Sequence, residues 1–261
     1  MRTIVTTGGR PDEWSRTLAE KASEKLNYPF IERKKRSIAR LQKDYEASVL
    51  VAGHERFELY RPSMEKPFFF HPNSAMFRVK RLLKGETDPL VEVATLKEGD
   101  TFLDCTLGLA SDSLIAALKV GASGKVLGLE QDRDVAFIVK EGLKTFPTLV
   151  QELKDAMARI DVQNTNAVAY LKEVPDNHWD VVYIDPMFTA PIDESSNFTQ
   201  LREVGAIGEL TKEWVDEAYR VCRRRVVIKD HFNSPMFDEF HFKQIIRPNT
   251  KFHYGYLEKN D

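Results

Sequence analysis

Between residues 101 and 186 the chain repeatedly runs through a short apolar stretch that stops on a polar side chain. Thr101-Phe-Leu-Asp104, Lys125-Val-Leu-Gly-Leu-Glu130 and Val181-Val-Tyr-Ile-Asp185 show the pattern, and Asn164-Thr-Asn166-Ala167 closes a fainter one that starts at Ala158. Segments of helical period, Ser113 to Val120, Asp134 to Phe146 and Thr211 to Val221, separate or follow these runs, and Arg225-Val-Val-Ile-Lys229 reads as a fifth strand. Strands divided by helices imply right-handed crossovers and a parallel sheet. Open sheets of this kind bind ligands at the carboxyl ends of their strands. The residues on which the runs stop, Asp104, Glu130, Asn166 and Asp185, therefore become one candidate site.

Each strand end has its own chemistry. Pro186 fixes its own φ and biases Asp185 toward an extended shape, so the strand itself delivers that carboxylate. The sequence Asp185-Pro186-Met187-Phe188 places an acid, a rigid turn and an aromatic ring at the mouth of the sheet. That set suits an enzyme acting on the amino group of a planar base: Asp185 and the Pro186 carbonyl would accept its N–H bonds, and Phe188 would stack on the ring. An ordinary strand-ending turn has the same local appearance. The loop after Asp104 carries one glycine, Gly108, and is a poor dinucleotide fingerprint, which needs a second glycine to admit a pyrophosphate. An acid ahead of that glycine fits a ligand with a sulfonium, an ammonium and no phosphate, as in S-adenosylmethionine. Glu130 is placed to accept two hydrogen bonds from a ribose diol, and Asn166 to offer an amide to an adenine edge.

Formal net charge is only −2, but it is unevenly distributed. Residues 1–85 carry 18 Lys/Arg and 10 Asp/Glu, whereas residues 86–261 carry 20 and 30. The excess sits in Arg33-Lys-Lys-Arg36, Arg40 and Lys43, then Arg78, Lys80, Arg81 and Lys84, a footprint expected of a surface facing nucleic-acid phosphates. A solvated helix face is the plainer alternative. RNA is thus the expected partner, through basic residues in 31–84.

Residues 1–70 read as a small basic α/β domain and 71–261 as the ligand-binding domain. In the first, Thr3-Ile-Val-Thr6 is a strand, and Pro11 opens a helix with Trp14, Leu18 and Ala22 to one side. A short basic helix, Ser37 to Lys43, follows, then strands at Val49-Leu-Val51, Arg56 to Tyr60 and Pro67 to Phe70. His71-Pro72-Asn73-Ser74 caps a basic amphipathic helix through Leu83, and His71, beside Phe68–Phe70, reads as structural. No run approaches a membrane span, and Met1-Arg-Thr-Ile-Val opens a strand rather than a signal peptide. Cys105 and Cys222 match no metal spacing and are expected reduced and buried. A cytoplasmic enzyme without a metal is the expectation.

With these residues on the page, the chain resembles the class I S-adenosylmethionine-dependent methyltransferases. Within them it is similar to the small-subunit ribosomal RNA guanine-N2 methyltransferase (RsmJ-like) family, and most to its YpiP-like branch. The carriers are the D-x-T-x-G-L-x-x-D loop from Asp104 to Asp112, Leu129-Glu130, Val182-Tyr-Ile-Asp-Pro-Met-Phe188 and Arg224 to Lys229. They span roughly residues 71–230. The resemblance implies a Rossmann-like α/β fold with a mostly parallel, doubly wound sheet, preceded by the small N-terminal α/β domain. It implies S-adenosyl-L-methionine as cofactor, held by Asp104, Gly108, Ser111, Asp112, Glu130, Gln131, Asn166, Ala167 and Asp185. It also implies methylation of a base amino group in RNA, ribosomal RNA first, with Asp185, Pro186 and Phe188 catalytic. Two departures stand out. Where the family's loop continues G-L-G-R-D, this chain has Gly108-Leu-Ala-Ser-Asp112, and Asp193-Glu194 occupies a usually basic stretch. Methylation of a small molecule or a protein, and cofactor binding without catalysis, are the alternative expectations.

Overall fold

The computed structural model describes residues 2–186 and 210–259, apart from the side chain of Ser74. They divide into two compact units. One holds the residues up to His71 together with Phe137–Pro147, and the other holds Pro72–Ala136 and the described residues from Thr148 onward.

In the first unit, β1 (Thr3–Thr7) pairs in parallel with β2 (Ser48–Ala52), which pairs antiparallel with β3 (Phe57–Tyr60). Both β1 and β2 are buried throughout, which is why they read as unbroken apolar or threonine-rich runs. Helices α1 (Glu13–Leu26) and α2 (Ile38–Tyr45) connect them. Helix α1 begins at Glu13, not at Pro11. Asp12 wins the cap because its carboxylate accepts the Ser15 N–H at 2.7 Å while the Ser15 hydroxyl accepts the Asp12 N–H at 3.0 Å. The helix buries Ser15, Ala19, Ala22 and Leu26, whose small side chains let it approach the sheet, and it leaves Trp14 exposed. Pro67–Phe70 makes no strand, only a two-bond bridge between Leu59 and Phe68. His71 is buried with its ring against Phe69.

The second unit is built on a seven-stranded sheet: β4 (Thr101–Asp104), β5 (Lys125–Glu130), β6 (Ile160–Asn164), β7 (Trp179–Ile184), β8 (Cys222–His231), β9 (Lys243–Ile245) and β10 (Phe252–Glu258). Their order is β6-β5-β4-β7-β8-β10-β9. The first five are parallel, and β10 lies antiparallel between β8 and β9. This is the doubly wound, mostly parallel sheet expected. The antiparallel pair carries little signal in the sequence, because β9 has three residues and Gly255 interrupts the apolar pattern of β10.

Helices α3 (Asn73–Leu83), α4 (Pro89–Val93), α5 (Ser111–Val120), α7 (Gln151–Ala158), α8 (Ala167–Glu173), α9 (Lys212–Val221) and α10 (Met236–Glu239) belong to this unit, and α6 (Arg133–Thr145) begins in it. Helix α5 lies on one face of the sheet, with α3, α4 and α7 packed on it in turn. Sandwiched in this way, α5 buries nearly every side chain from Asp112 to Ala117. The opposite face is covered by α8 and α9, which bury Leu171, Trp214, Val215 and Ala218 against Leu103, Leu129, Val182, Ile184 and Val226. Each of the buried Leu, Ile and Val side chains contributes about 1.5–3 kcal/mol. Helix α3 starts without the expected side-chain cap, since Pro72 occupies the N-cap position.

The loop after β4 crosses directly over β5. A Cβ added at Gly128 would lie 2.2 Å from Leu107 Cδ1, so the strand must present bare backbone there. Gly128→Val should therefore destabilise the protein by roughly 2–3 kcal/mol, as overpacking does. Urea denaturation would show it as a lower midpoint at unchanged slope, and an unchanged midpoint would refute the close approach.

Candidate functional site

The strand order reverses between β4 and β7: the chain leaves β4 toward β5 and β6 on one side, and returns as β7 and β8 on the other. Loops leaving two such adjacent strands diverge, and a crevice opens at their carboxyl ends. Asp104 and Asp185 stand there, one at the end of β4 and the other just past β7.

Asp104 lies beneath its loop. One carboxylate oxygen accepts the Thr106 N–H at 3.0 Å, and the other accepts the Ser113 hydroxyl at 2.6 Å, fastening the loop to α5. Over β5, the Leu107 N–H donates to the Leu129 carbonyl at 3.0 Å, and the Gly108 N–H reaches Glu130 Oε2 at 3.3 Å. The other Glu130 oxygen accepts the Asp132 N–H at 2.9 Å. Gly108 and Ala110 have φ of +48° and +58°. Ala110 thus stands in a left-handed conformation that favours glycine, at a cost of about 1–2 kcal/mol. Burial pushes both Asp104 and Glu130 up to about 7.

Beside this loop is a cavity of ≈ 350 Å³ whose described lining includes Cys105, Thr106, Leu129, Glu130, Gln131, Thr165, Asn166, Ala167, Thr211 and Trp214. Of the expected cofactor residues, Glu130, Gln131, Asn166 and Ala167 meet here. Asp104 and Gly108 brace two lining residues, Thr106 and Glu130, and Ser111 is the first residue of α5. Asn166 is displaced from its expected place: β6 ends at Asn164, and Asn166 caps α8 by accepting the Ala169 N–H at 3.0 Å. Its amide N–H₂ donates to Gln131 Oε1 at 3.0 Å, so it holds Gln131 as well as lining the cavity. Both cysteines are free and buried, and burial drives the Cys105 thiol up, away from thiolate. Among the described residues no cluster of His, Cys, Asp or Glu could hold a metal. None of their helices is long and apolar enough to cross a membrane.

On the α5 face of the sheet, Asp112 and Asp185 are joined by a cation. Lys229 Nζ lies 2.6 Å from Asp185 Oδ2 and 3.2 Å from Asp112 Oδ2. The Tyr183 hydroxyl donates to Asp112 at 2.9 Å, and Arg78 reaches its other oxygen at 2.5 Å. Arg78 also forks onto both oxygens of Asp88, at 2.8 Å each. Burial alone would raise Asp112, but Lys229 and Arg78 hold it well below the usual carboxylate range. Asp185 is partly buried, and despite Lys229 the loss of water around it pushes it up to about 6. The backbone N–H of Asp185 donates to Thr106 Oγ1 at 2.7 Å, so the cavity wall and this carboxylate share one residue. Pro186 is buried next to it, and Phe188 lies outside the described residues.

The network corrects one reading. Arg78 belongs to no phosphate-facing cluster, because two carboxylates draw it into the protein. Arg40 and Arg81 are likewise paired, with Asp44 and Glu86. Lys229, Tyr183 and Thr106 are not among the expected site residues. Lys229 was within reach of the same strand-end rule, since it follows Ile228 as Asp185 follows its register partner Ile184.

Three comparisons bear on this site. Residues 34–253 match the family model SAM_MT, that of SAM-dependent methyltransferases. The chain is 45% identical over 255 residues to YpiP of Bacillus subtilis, covering 98% of this chain and 99% of that one. A SAM-dependent methyltransferase of Neisseria gonorrhoeae shares the fold at a TM-score of 0.61 and 18% identity, over 98% of this chain and 95% of that one.

Two outcomes follow from the geometry. Arg78→Ala strips Asp88 of its guanidinium and leaves Asp112 with Lys229 and Tyr183 alone, and should cost about 3–5 kcal/mol in urea denaturation. A loss below 1 kcal/mol would mean that the network is not formed. A carboxyl with a higher pKa folded than unfolded binds its proton more tightly when folded. The contribution of Asp104 and Glu130 is therefore full below about pH 4 and is lost as pH rises through about 7. Unfolding free energy should fall between about pH 4 and 7, and Asp104→Asn should flatten that fall. Equal slopes in both proteins would contradict the assignment.

Proposed function

The chain belongs to the family of S-adenosylmethionine-dependent methyltransferases, and from that premise we propose that it methylates an exocyclic amino group of a base in RNA. The residues of the cavity fit the cofactor. Glu130 offers a fixed carboxylate to a ribose diol, the Gln131–Asn166 pair and the Ala167 backbone offer polar groups to adenine, and Leu129 and Trp214 supply apolar wall. When bound, the cofactor supplies a methyl group activated on a sulfonium.

The observation that carries the reading is Asp185, a partly buried carboxylate kept ionised at neutral pH by Lys229 at the edge of that cavity. The amino group of a base is a weak nucleophile, because its lone pair is delocalised into the ring. Asp185 Oδ1 or Oδ2 and the Pro186 carbonyl accept its two N–H bonds, which favours a pyramidal nitrogen and aims the lone pair. With the bound cofactor giving up its methyl and leaving as the neutral thioether, the amino nitrogen would shed one of those protons to Asp185 and from there to solvent. Holding the nitrogen in line at near-attack distance accounts for several kcal/mol of the barrier. Phe188, by its position in the sequence, supplies a stacking surface worth about 1–3 kcal/mol.

Asp185→Asn should lower the transfer rate by about 10²–10⁴-fold, while calorimetry finds cofactor affinity little changed. Mass spectrometry of nucleosides from RNA treated with the wild-type enzyme should show a methylated base amino group. Methyl found only on ribose, protein or a small molecule would overturn the RNA reading. The kcat/KM should fall as pH drops through about 6, where Asp185 takes up a proton. Lys229→Met should move that fall to higher pH, because the cation favours the ionised carboxylate.

A further inference from the structure

The carboxyl end of the small sheet in the first unit has features that its own packing does not require. Three segments emerge there side by side. Gly8-Gly9-Arg10 follows β1, Gly53-His54 follows β2, and Glu32–Arg36 follows Phe30, which bridges in parallel to Val5. They are cross-tied: His54 Nδ1 lies 2.9 Å from Asp12 Oδ2, and Arg33 donates to the Thr7 carbonyl at 3.3 Å.

The basic turn is the unusual part. Lys34 and Lys35 both have left-handed backbones, φ +46° and +61°. Neither is glycine, both side chains are exposed, and so no buried contact demands that shape. The neighbouring arginines hold it instead. Arg33 Nε donates to the Arg36 carbonyl at 3.0 Å, and Arg36 Nε donates back to the Arg33 carbonyl at 3.2 Å. Of the four cations in Arg33–Arg36, two are thus spent on the backbone and two are displayed. Backbone strain held in place by surrounding bonds is a mark of functional surface. Helix α1 is tied to the same segment by Arg16 on Glu32 at 3.2 Å, and at its start Arg10 is exposed, Trp14 is 55% exposed, and a Cβ added at Gly8 or Gly9 would touch nothing.

We infer that this edge is a docking surface for single-stranded RNA, with Lys34, Lys35 and Arg10 on phosphates and Trp14 stacked on an unpaired base. Cations beside an exposed aromatic ring are what a flexible strand of nucleic acid requires, whereas an acidic polypeptide has no base to stack. The inference deepens the RNA reading of the preceding subsection and rests on it for the class of partner.

The test uses the full chain and fluorescein-labelled oligouridylate, with binding followed by anisotropy across a salt series. Replacing both lysines by glycine (Lys34→Gly with Lys35→Gly) relieves the backbone while removing the charges. The variant should be as heat-stable as the wild type or more so, yet bind more weakly, with the log–log salt slope reduced by about 1.4. Trp14→Ala should weaken binding by about 5- to 100-fold. An unchanged salt slope in the glycine variant overturns the surface, even if RNA methylation is found. Retained slope and stacking effects, with no RNA methylation, support the surface and refute the proposed reaction. Polyglutamate competing as well as oligouridylate, with no effect of Trp14→Ala, would point to an acidic protein and overturn the proposal.

Discussion

The ammonium of Lys229, shared between Asp112 and Asp185, is the interaction on which the second unit turns. Taking three charges out of water is costly, and a buried ion pair seldom repays this in stability. What the arrangement does secure is a defined ionisation state. Partial burial lifts Asp185 toward neutrality, Lys229 opposes that lift, and the carboxylate remains charged at neutral pH. Arg78 performs the same service for Asp112 from a different helix, and Tyr183 adds a neutral donor. Four elements, α3, α5, β7 and β8, are therefore held in register by one chain of charges.

The loop after β4 is the second organising device, and it works by backbone rather than charge. Asp104 anchors it below, Gly128 lets Leu107 close down on β5, and the consequence is that a main-chain N–H meets Glu130. Ala110 shows that the left-handed step at the start of α5 can be kept without glycine when the surrounding bonds dictate it.

Much of this was legible in the sequence, for a physical reason. A parallel strand buried on both faces must end before it can carry a polar group, so Asp104, Glu130 and Asp185 announce both the strand and the site. The rule missed Asn166 by two residues, because a helix cap and a strand end use the same residue types. Lys229 obeys the rule but is a cation, easily taken for the solvated end of a strand. Arg78 was hidden more deeply. Its partner Asp112 is 34 residues away, and nothing in a run of basic residues tells which one turns inward. The exposed Trp14 misled in the other direction, since large aromatic residues usually mark the buried face of a helix.

Strand β10 lies directly beside β8, with Tyr254 opposite Lys229 in the register. Of the sheet's strands it comes last in the chain, yet it occupies an inner position. During synthesis, then, β8 leaves the ribosome with one edge unsatisfied, and the lysine that sets the charge of Asp185 waits for its final neighbour. Assembly of this half of the sheet therefore waits for residues 252–258, and a chain truncated before β10 would carry every strand-end acid and still lack the setting in which they work.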